Sequence, residues 1–219
     1  MQSKNKISRR AALASGVGLA VFGDLMTNLG YAQDTGVKED VVWKFAKLDP
    51  DLVAKRAYEN FKAGGCLYGA FKGACLAYAD AVEASDAEFA KIARGVPFVA
   101  FRCGRGGFGK LRELCGAMAG AIMFMSCFCE KVDDLNDMAG LLGGFAKTAA
   151  LPTYVPENDE CPNMFTFVAD GLTCKDMGVG WVLNAPEEQR KNWVGERCAR
   201  HTASIMKKAA EIINEHFEE

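Results

Sequence analysis

The reading of this chain turns on Gly104-Arg105-Gly106-Gly107-Phe108-Gly109-Lys110-Leu111-Arg112-Glu113-Leu114-Cys115-Gly116-Ala117-Met118-Ala119-Gly120. It opens with four glycines in six residues and runs on into an apolar segment rich in Ala and Met. A helix lacking a polar face over most of its length is a buried one. Lys110–Val132 is therefore expected as the central helix of a bundle. Gly104, Gly106 and Gly109 satisfy G-x-G-x-x-G, but a dinucleotide fold needs a strand before it, a helix after it and further βαβ units. Only Val96–Phe101 reads as a strand, and Pro97 weakens it. Two other uses of such a turn are tight packing against a neighbouring helix and an anion-attracting nest of backbone N–H groups. Such a nest can also receive the sulfides of an iron–sulfur cluster.

The flanking sequence is helical in character. Leu52, Ala57, Phe61, Leu67, Phe71 and Leu76 recur at helical spacing across Asp51–Glu83, with Gly64-Gly65 as the interruption. Ser85-Asp86-Ala87-Glu88 has the form of a capping box opening a short helix to Ala93. Asp134–Ala150 is a further helix that Pro152 stops, and residues 152–163 form a loop holding Cys161. Residues 164–184 read either way. Asn184-Ala185-Pro186-Glu187-Glu188 is a helix start, and Trp193–Phe217 is a long amphipathic helix. The expected fold is all-α: a single helical domain over residues 51–219, with roughly six helices around a buried central one.

Residues 1–10 carry Lys4, Lys6, Arg9 and Arg10 and no acid, and an apolar run from Ala11 to Phe22 follows. With small residues up to Ala32, this is the layout of an export signal over residues 1–32. Ser8-Arg9-Arg10 gives it twin-arginine character, although Ala11 and Ala12 stand where a bulky residue is usual. The run is shorter than the ~20 residues a spanning helix needs; an uncleaved anchor is the alternative. The twin-arginine route carries folded proteins and so suits a cofactor inserted before export to the periplasm. Residues 33–50 are read as a leader. Removing residues 1–32 takes away four basic residues and one acid, leaving 22 Lys+Arg against 27 Asp+Glu. That balance carries no basic footprint for nucleic acid. No second run is long and uncharged enough to span a membrane.

The chain has nine cysteines, an odd number that rules out complete internal pairing. If Cys115 and Cys129 share a helix they stand about 21 Å apart along it, while Cys127 and Cys129 diverge around it. C-x-x-C and C-x-x-C-H are both absent, so zinc-ribbon, thioredoxin and covalent c-type haem signals are missing. Any shared site must gather one cysteine from each of several helices.

Four contexts stand out: Lys62-Ala63-Gly64-Gly65-Cys66, the glycine turn running into Cys115-Gly116-Ala117-Met118-Ala119-Gly120, Gly171-Leu172-Thr173-Cys174-Lys175-Asp176, and Arg197-Cys198-Ala199-Arg200. From about Leu52 to the C-terminus the chain resembles the C_GCAxxG_C_C family of redox-active proteins, its central motif reading C-G-A-x-x-G. It is also similar to the non-haem part of split-Soret cytochromes. The resemblance implies a helical redox domain in which Cys66, Cys115, Cys174 and Cys198 hold an iron–sulfur cluster. It also implies a redox partner protein and a homodimer. Gly104, Gly106, Gly107, Gly109 and Gly116 would bring backbone amides to the cluster.

Cys75, Cys103, Cys127, Cys129 and Cys161 depart from the four-cysteine pattern and leave a second site or a structural disulfide open. A helix N-terminus would favour the thiolate of Cys115 and of Cys198. Arg102, Arg105 and Arg112 would add positive potential, and His201 is a candidate ligand or donor to one. Two alternatives stay open: thiol–disulfide exchange without metal, and zinc or copper binding without turnover. With two histidines and no justified Ser-His-Asp arrangement, no catalytic residue is assigned.

Overall fold

The computed structural model describes residues 41–218; the export segment 1–32 and residues 33–40 of the leader lie outside them. Asp49 caps the first helix, α1 (Pro50–Gly64), accepting from the Asp51 and Leu52 N–H groups at 2.9 and 3.2 Å. Pro50 sits at the first turn, where a missing N–H costs nothing. Gly65 (φ +89°) breaks the chain, and α2 (Cys66–Val82) folds back along α1. Gly69 and Gly73 of α2 lie on the α1 backbone around Phe61 and Ala57, so the two helices are antiparallel and closely packed.

Asp86, rather than Ser85, is the N-cap of α3 (Ala87–Gly95). It accepts from the Phe89 N–H at 3.3 Å, while the Ser85 hydroxyl donates back to Val82. The expected strand at Val96–Phe101 is absent; Phe98–Gly104 is a 3₁₀ helix. Pro97 removes a ladder donor. The three-residue spacing of Phe98 and Phe101 also puts both rings on one side of a 3₁₀ turn, where they pack on Phe71 with centroids at 6.4 and 4.6 Å.

The central helix is shorter than the apolar run. Among the described residues α4 spans Gly116–Ser126, with Gly116–Ala121, Phe124 and Met125 buried. Lys110 and Arg112 have φ near +69°, outside helical geometry, and Leu114 instead forms an antiparallel bridge with Thr173. Next comes α5 (Val132–Thr148), uninterrupted by Gly143-Gly144. Residues 152–163 form a loop. The ambiguous segment is a π-helical turn, Lys175–Val179, that continues into α6 (Gly180–Asn184). The short α7 (Glu187–Asn192) precedes α8 (Val194–Phe217). Six of these helices are nine residues or longer, and no strand is present among the described residues. The fold is all-α, as expected.

Ahead of α1, Trp43 and Leu48 are buried in the core and Phe45 and Ala46 pack against it. The Trp43 N–H donates to the Cys127 carbonyl at 2.7 Å, and its ring stacks on Tyr78 at 4.9 Å. The Asn214 side chain bonds both backbone groups of Leu48.

Helix direction decides which helix ends meet. Gly116 and Gly120 of α4 rest on Leu67 and Ala70 of α2, so these helices run parallel. Tyr58–Glu196 and Asp51–Lys207 link α1 to α8 in reverse order, so α8 is antiparallel to α1. The helices α2, α4 and α8 thus all start at the same end of the bundle.

Candidate metal centre

Three of the four singled-out cysteines sit where those three helices begin. Cys66 is the first residue of α2, Cys115 is the N-cap of α4, and Cys198 lies in the second turn of α8. The fourth, Cys174, heads the π turn, an element frequent at functional sites. Backbone pairing brings Cys174 beside Cys115: the Cys115 N–H donates to Leu172 at 2.9 Å and the Cys174 N–H donates to Glu113 at 2.6 Å. Cys66, Cys174 and Cys198 line one cavity, and Gly116, next to Cys115, packs against the Cys66 Cβ. Four sulfurs from four separate segments therefore share one neighbourhood. Among the described residues, no three His, Cys, Asp or Glu side chains are grouped tightly enough to hold a single metal ion.

The thiols differ sharply in acidity. Its interaction with Cys198 raises the Cys66 thiol, and burial raises it further. The same interaction lowers Cys198, and Arg197 and Arg112 add to the effect against the cost of burial. Burial pushes Cys115 up to about 11, although the Ala117 and Met118 N–H groups at the helix start favour its thiolate. At Cys115 the helix start favours the thiolate but desolvation outweighs it, and at Cys198 the lowering comes from Cys66 and the arginines.

Two buried polar side chains here each leave one nitrogen without a partner among the described residues. Arg197 is 2% exposed, forms no ion pair among the described residues, and its Nε has no hydrogen-bond partner. One of its terminal nitrogens lies 4.0 Å from the Cys198 sulfur, and its guanidinium stands 5.9 Å over the Trp181 ring. His201 is equally buried; its Nε2 lies 3.8 Å from the Cys115 sulfur and its Nδ1 is unpartnered. Burial, with Arg197 nearby, holds His201 neutral. An unpaired buried cation is costly, and a set of thiolates, or an anionic group held by them, would compensate it. The donor chemistry and this uncompensated charge together fit a thiolate-bound metal group.

The glycine turn supports the site from outside. Gly107 (φ +70°) has no room for a side chain: a Cβ there would stand 2.7 Å from the Cys174 Cβ and 2.8 Å from the Glu113 backbone. A Cβ on Gly116 would stand 2.7 Å from the Gly104 carbonyl and 2.9 Å from the Cys66 Cβ. Gly106 lines the cavity over the sulfurs, Gly104 is packed on Leu67, and Gly109 serves only the turn, with open space around it. Arg112 reaches the Cys174 sulfur at 3.8 Å and Arg105 packs along Gly65, whereas Arg102 stacks on Tyr68 instead. The remaining cysteines lie elsewhere. Cys75 is in the core, Cys127 and Cys129 bond carbonyls at the far end of α4, Cys103 is exposed, and Cys161 is in the 152–163 loop.

No family model matches the chain. Split-Soret cytochrome c from Desulfovibrio desulfuricans is 28% identical over an alignment of 225 residues, covering 95% of this chain and 78% of that protein. The solved structure of that cytochrome, described as holding a novel iron centre, matches with a TM-score of 0.67 at 26% identity. It covers 80% of this chain and 72% of its own. The chain is related to split-Soret cytochrome c. The similarity to split-Soret cytochrome c spans the whole cysteine-bearing domain. Arg197 is the candidate site residue that sequence reading passed over, since an arginine on an amphipathic helix normally faces water. Its position beside Cys198, on the face continued by His201, was the available signal.

Proposed function

We propose that this chain is an exported electron-transfer protein that holds an iron–sulfur cluster on Cys66, Cys115, Cys174 and Cys198. The observation that carries the reading is the gathering of these four cysteines at the shared start of three parallel helices, beside a buried arginine with no counter-ion. A cluster would supply one-electron chemistry to the chain. The protein's part is to hold four thiolates and stabilise their charge. The positive ends of α2, α4 and α8 favour negative charge at that spot. Arg197 and Arg112 add full charges, and the neutral His201 can donate Nε2–H to Cys115. Positive surroundings favour the more reduced, more negative state and raise the reduction potential.

A single tetrahedral ion would draw its sulfurs to about 2.3 Å from itself. A cluster attaches thiolates through separate irons and so suits a wider set of donors. That favours it over lone zinc or copper. The related protein is a cytochrome c with a novel iron centre, whereas this chain carries no C-x-x-C-H. The proposed centre would therefore work without covalent haem on the same chain. Export rests on the twin-arginine character of residues 1–32, and no described helix is long and apolar enough to cross a membrane.

Protein purified without oxygen is expected to be brown and to contain iron and acid-labile sulfide. Iron-free, colourless protein from that preparation rejects the proposal. The direct Cys66–Cys198 interaction favours thiol–disulfide exchange as a second reading. In that case the pair loses two electrons and its protons to an oxidant and forms one S–S bond. Mass spectrometry after thiol alkylation distinguishes it by a reversible Cys66–Cys198 bridge in metal-free protein.

A further inference from the structure

A cavity of about 570 Å³ opens over Cys66, Cys174 and Cys198, within the size range of small-molecule sites. It far exceeds what an inorganic core of a few atoms fills. Its walls are chemically divided. Phe61, Val179, Val182 and Val194 supply an apolar side, and Lys62, Arg105, Lys110 and Arg112 supply a cationic one. No carboxylate lines it. Among the described residues none of the four cations belongs to an ion pair, although the domain forms eleven elsewhere. The N–H groups of Gly109, Lys110, Leu111 and Arg112 are used inside the glycine turn, leaving those of Gly106, Gly107 and Phe108 without an acceptor among the described residues. The turn itself is strained, with Phe108, Lys110 and Arg112 at positive φ, a mark of backbone held for function. Four cations with no carboxylate partner among the described residues, in a chain of net negative charge, create a local field that gathers anions.

We infer that this cavity binds a small organic anion, with an apolar body against the valines and Phe61 and one anionic group between the lysines and arginines. As a binding site it stands on these walls alone; as the small-molecule partner of the sulfur centre it rests on the reading above.

The test uses 8-anilinonaphthalene-1-sulfonate, an apolar ring system with one sulfonate, and its sulfonate-free analogue N-phenyl-1-naphthylamine. Both are titrated by fluorescence into the anaerobic full chain, whose iron and sulfide contents are measured in the same sample. One sulfonate probe per chain is expected, bound more weakly as salt rises. The double variant Lys62→Glu/Lys110→Glu should weaken it by about tenfold or more and leave the neutral analogue unchanged. Arg102→Glu, a single charge reversal of the same kind outside the cavity, should leave the probe's affinity within about twofold, and circular dichroism checks that each variant is folded. Equal probe affinity in the folded double variant, several probes per chain, or equal affinity of the neutral analogue would overturn the inference. Displacement by inorganic phosphate at the probe's own concentration overturns it as well, by showing a site for bare anions. Iron-free protein that still binds the probe rejects the cluster and retains the site.

Discussion

Arg197 shows at the scale of one residue how this protein trades stability for function. Its guanidinium is buried beside Cys198 with no carboxylate near enough to neutralise it. An uncompensated buried charge destabilises a fold, and apolar replacements of buried charged groups often stabilise by ~1–4 kcal/mol. Arg197→Met, which keeps the stem that packs near Trp181, should therefore raise the unfolding free energy of metal-free protein by about 1–3 kcal/mol. The same change should reduce iron retained after desalting and lower the reduction potential of what remains by at least about 60 mV, one tenfold step for a one-electron couple. Chemical denaturation and potentiometry read the two effects separately. Unchanged iron and potential in the variant would mean that Arg197 serves packing alone. Sequence patterning could not expose this residue, because periodicity reports which face of a helix is apolar and not which cation lacks a partner.

Among the elements, the glycine turn and the helix starts form one mechanical unit. Gly107 packs against Cys174, and Gly116 against Cys66, so the turn sets how far apart two of the sulfurs stand. Gly107→Ala would add a clash with the Cys174 and Glu113 main-chain region to a left-handed backbone that itself disfavours a side chain by ~1–2 kcal/mol. We expect it to destabilise the fold by about 2–4 kcal/mol and abolish iron retention. Gly95→Ala, where a Cβ meets nothing within 4 Å, should change neither. Thermal melts with iron assays on both variants make the comparison. The loop 152–163 is fastened differently: Asp159 accepts from the buried Arg200, and that bond holds its carboxyl below the usual carboxylate range. A depressed folded-state pKa gives stability above the unfolded value near 3.9 that disappears as pH falls through the folded one. Melts between about pH 6 and pH 3 should show that loss, and Asp159→Asn should lack that portion of it. The helices themselves were legible in the sequence. Apolar spacing marked α1 and α2, and Gly65 their break. The 3₁₀ segment was not, because alternating Val and Phe around Pro97 fit a strand equally well until Phe71 was there to receive both rings. Nor could spacing reveal that Lys110–Leu114 leaves the helix, since its pairing partner lies at residues 172–174.

Across the whole molecule, the nine cysteines divide by position rather than by number. Four meet at the common start of α2, α4 and α8, while Cys75 lies farther along α2 and Cys127 and Cys129 follow the end of α4. Sequence contexts picked out the four, but their convergence depends on α4 running parallel to α2 and α8 antiparallel to α1, which no local signal encodes. The division makes a sharp prediction. Each of Cys66→Ser, Cys115→Ser, Cys174→Ser and Cys198→Ser should lower bound iron and sulfide by at least about half, since a cluster is held by thiolates from its full ligand set. The triple variant Cys103→Ser/Cys127→Ser/Cys129→Ser should retain the parent content, because none of those sulfurs faces the site. Cys75→Ser is a separate case. It places a hydroxyl in an apolar core position with 0% exposure and should lower the melting temperature without removing iron. Iron lost from the triple variant and kept by the four singles would move the centre to the opposite end of the bundle. There burial raises Cys75 and pushes Cys127 up to about 12, and no arginine lowers either thiol.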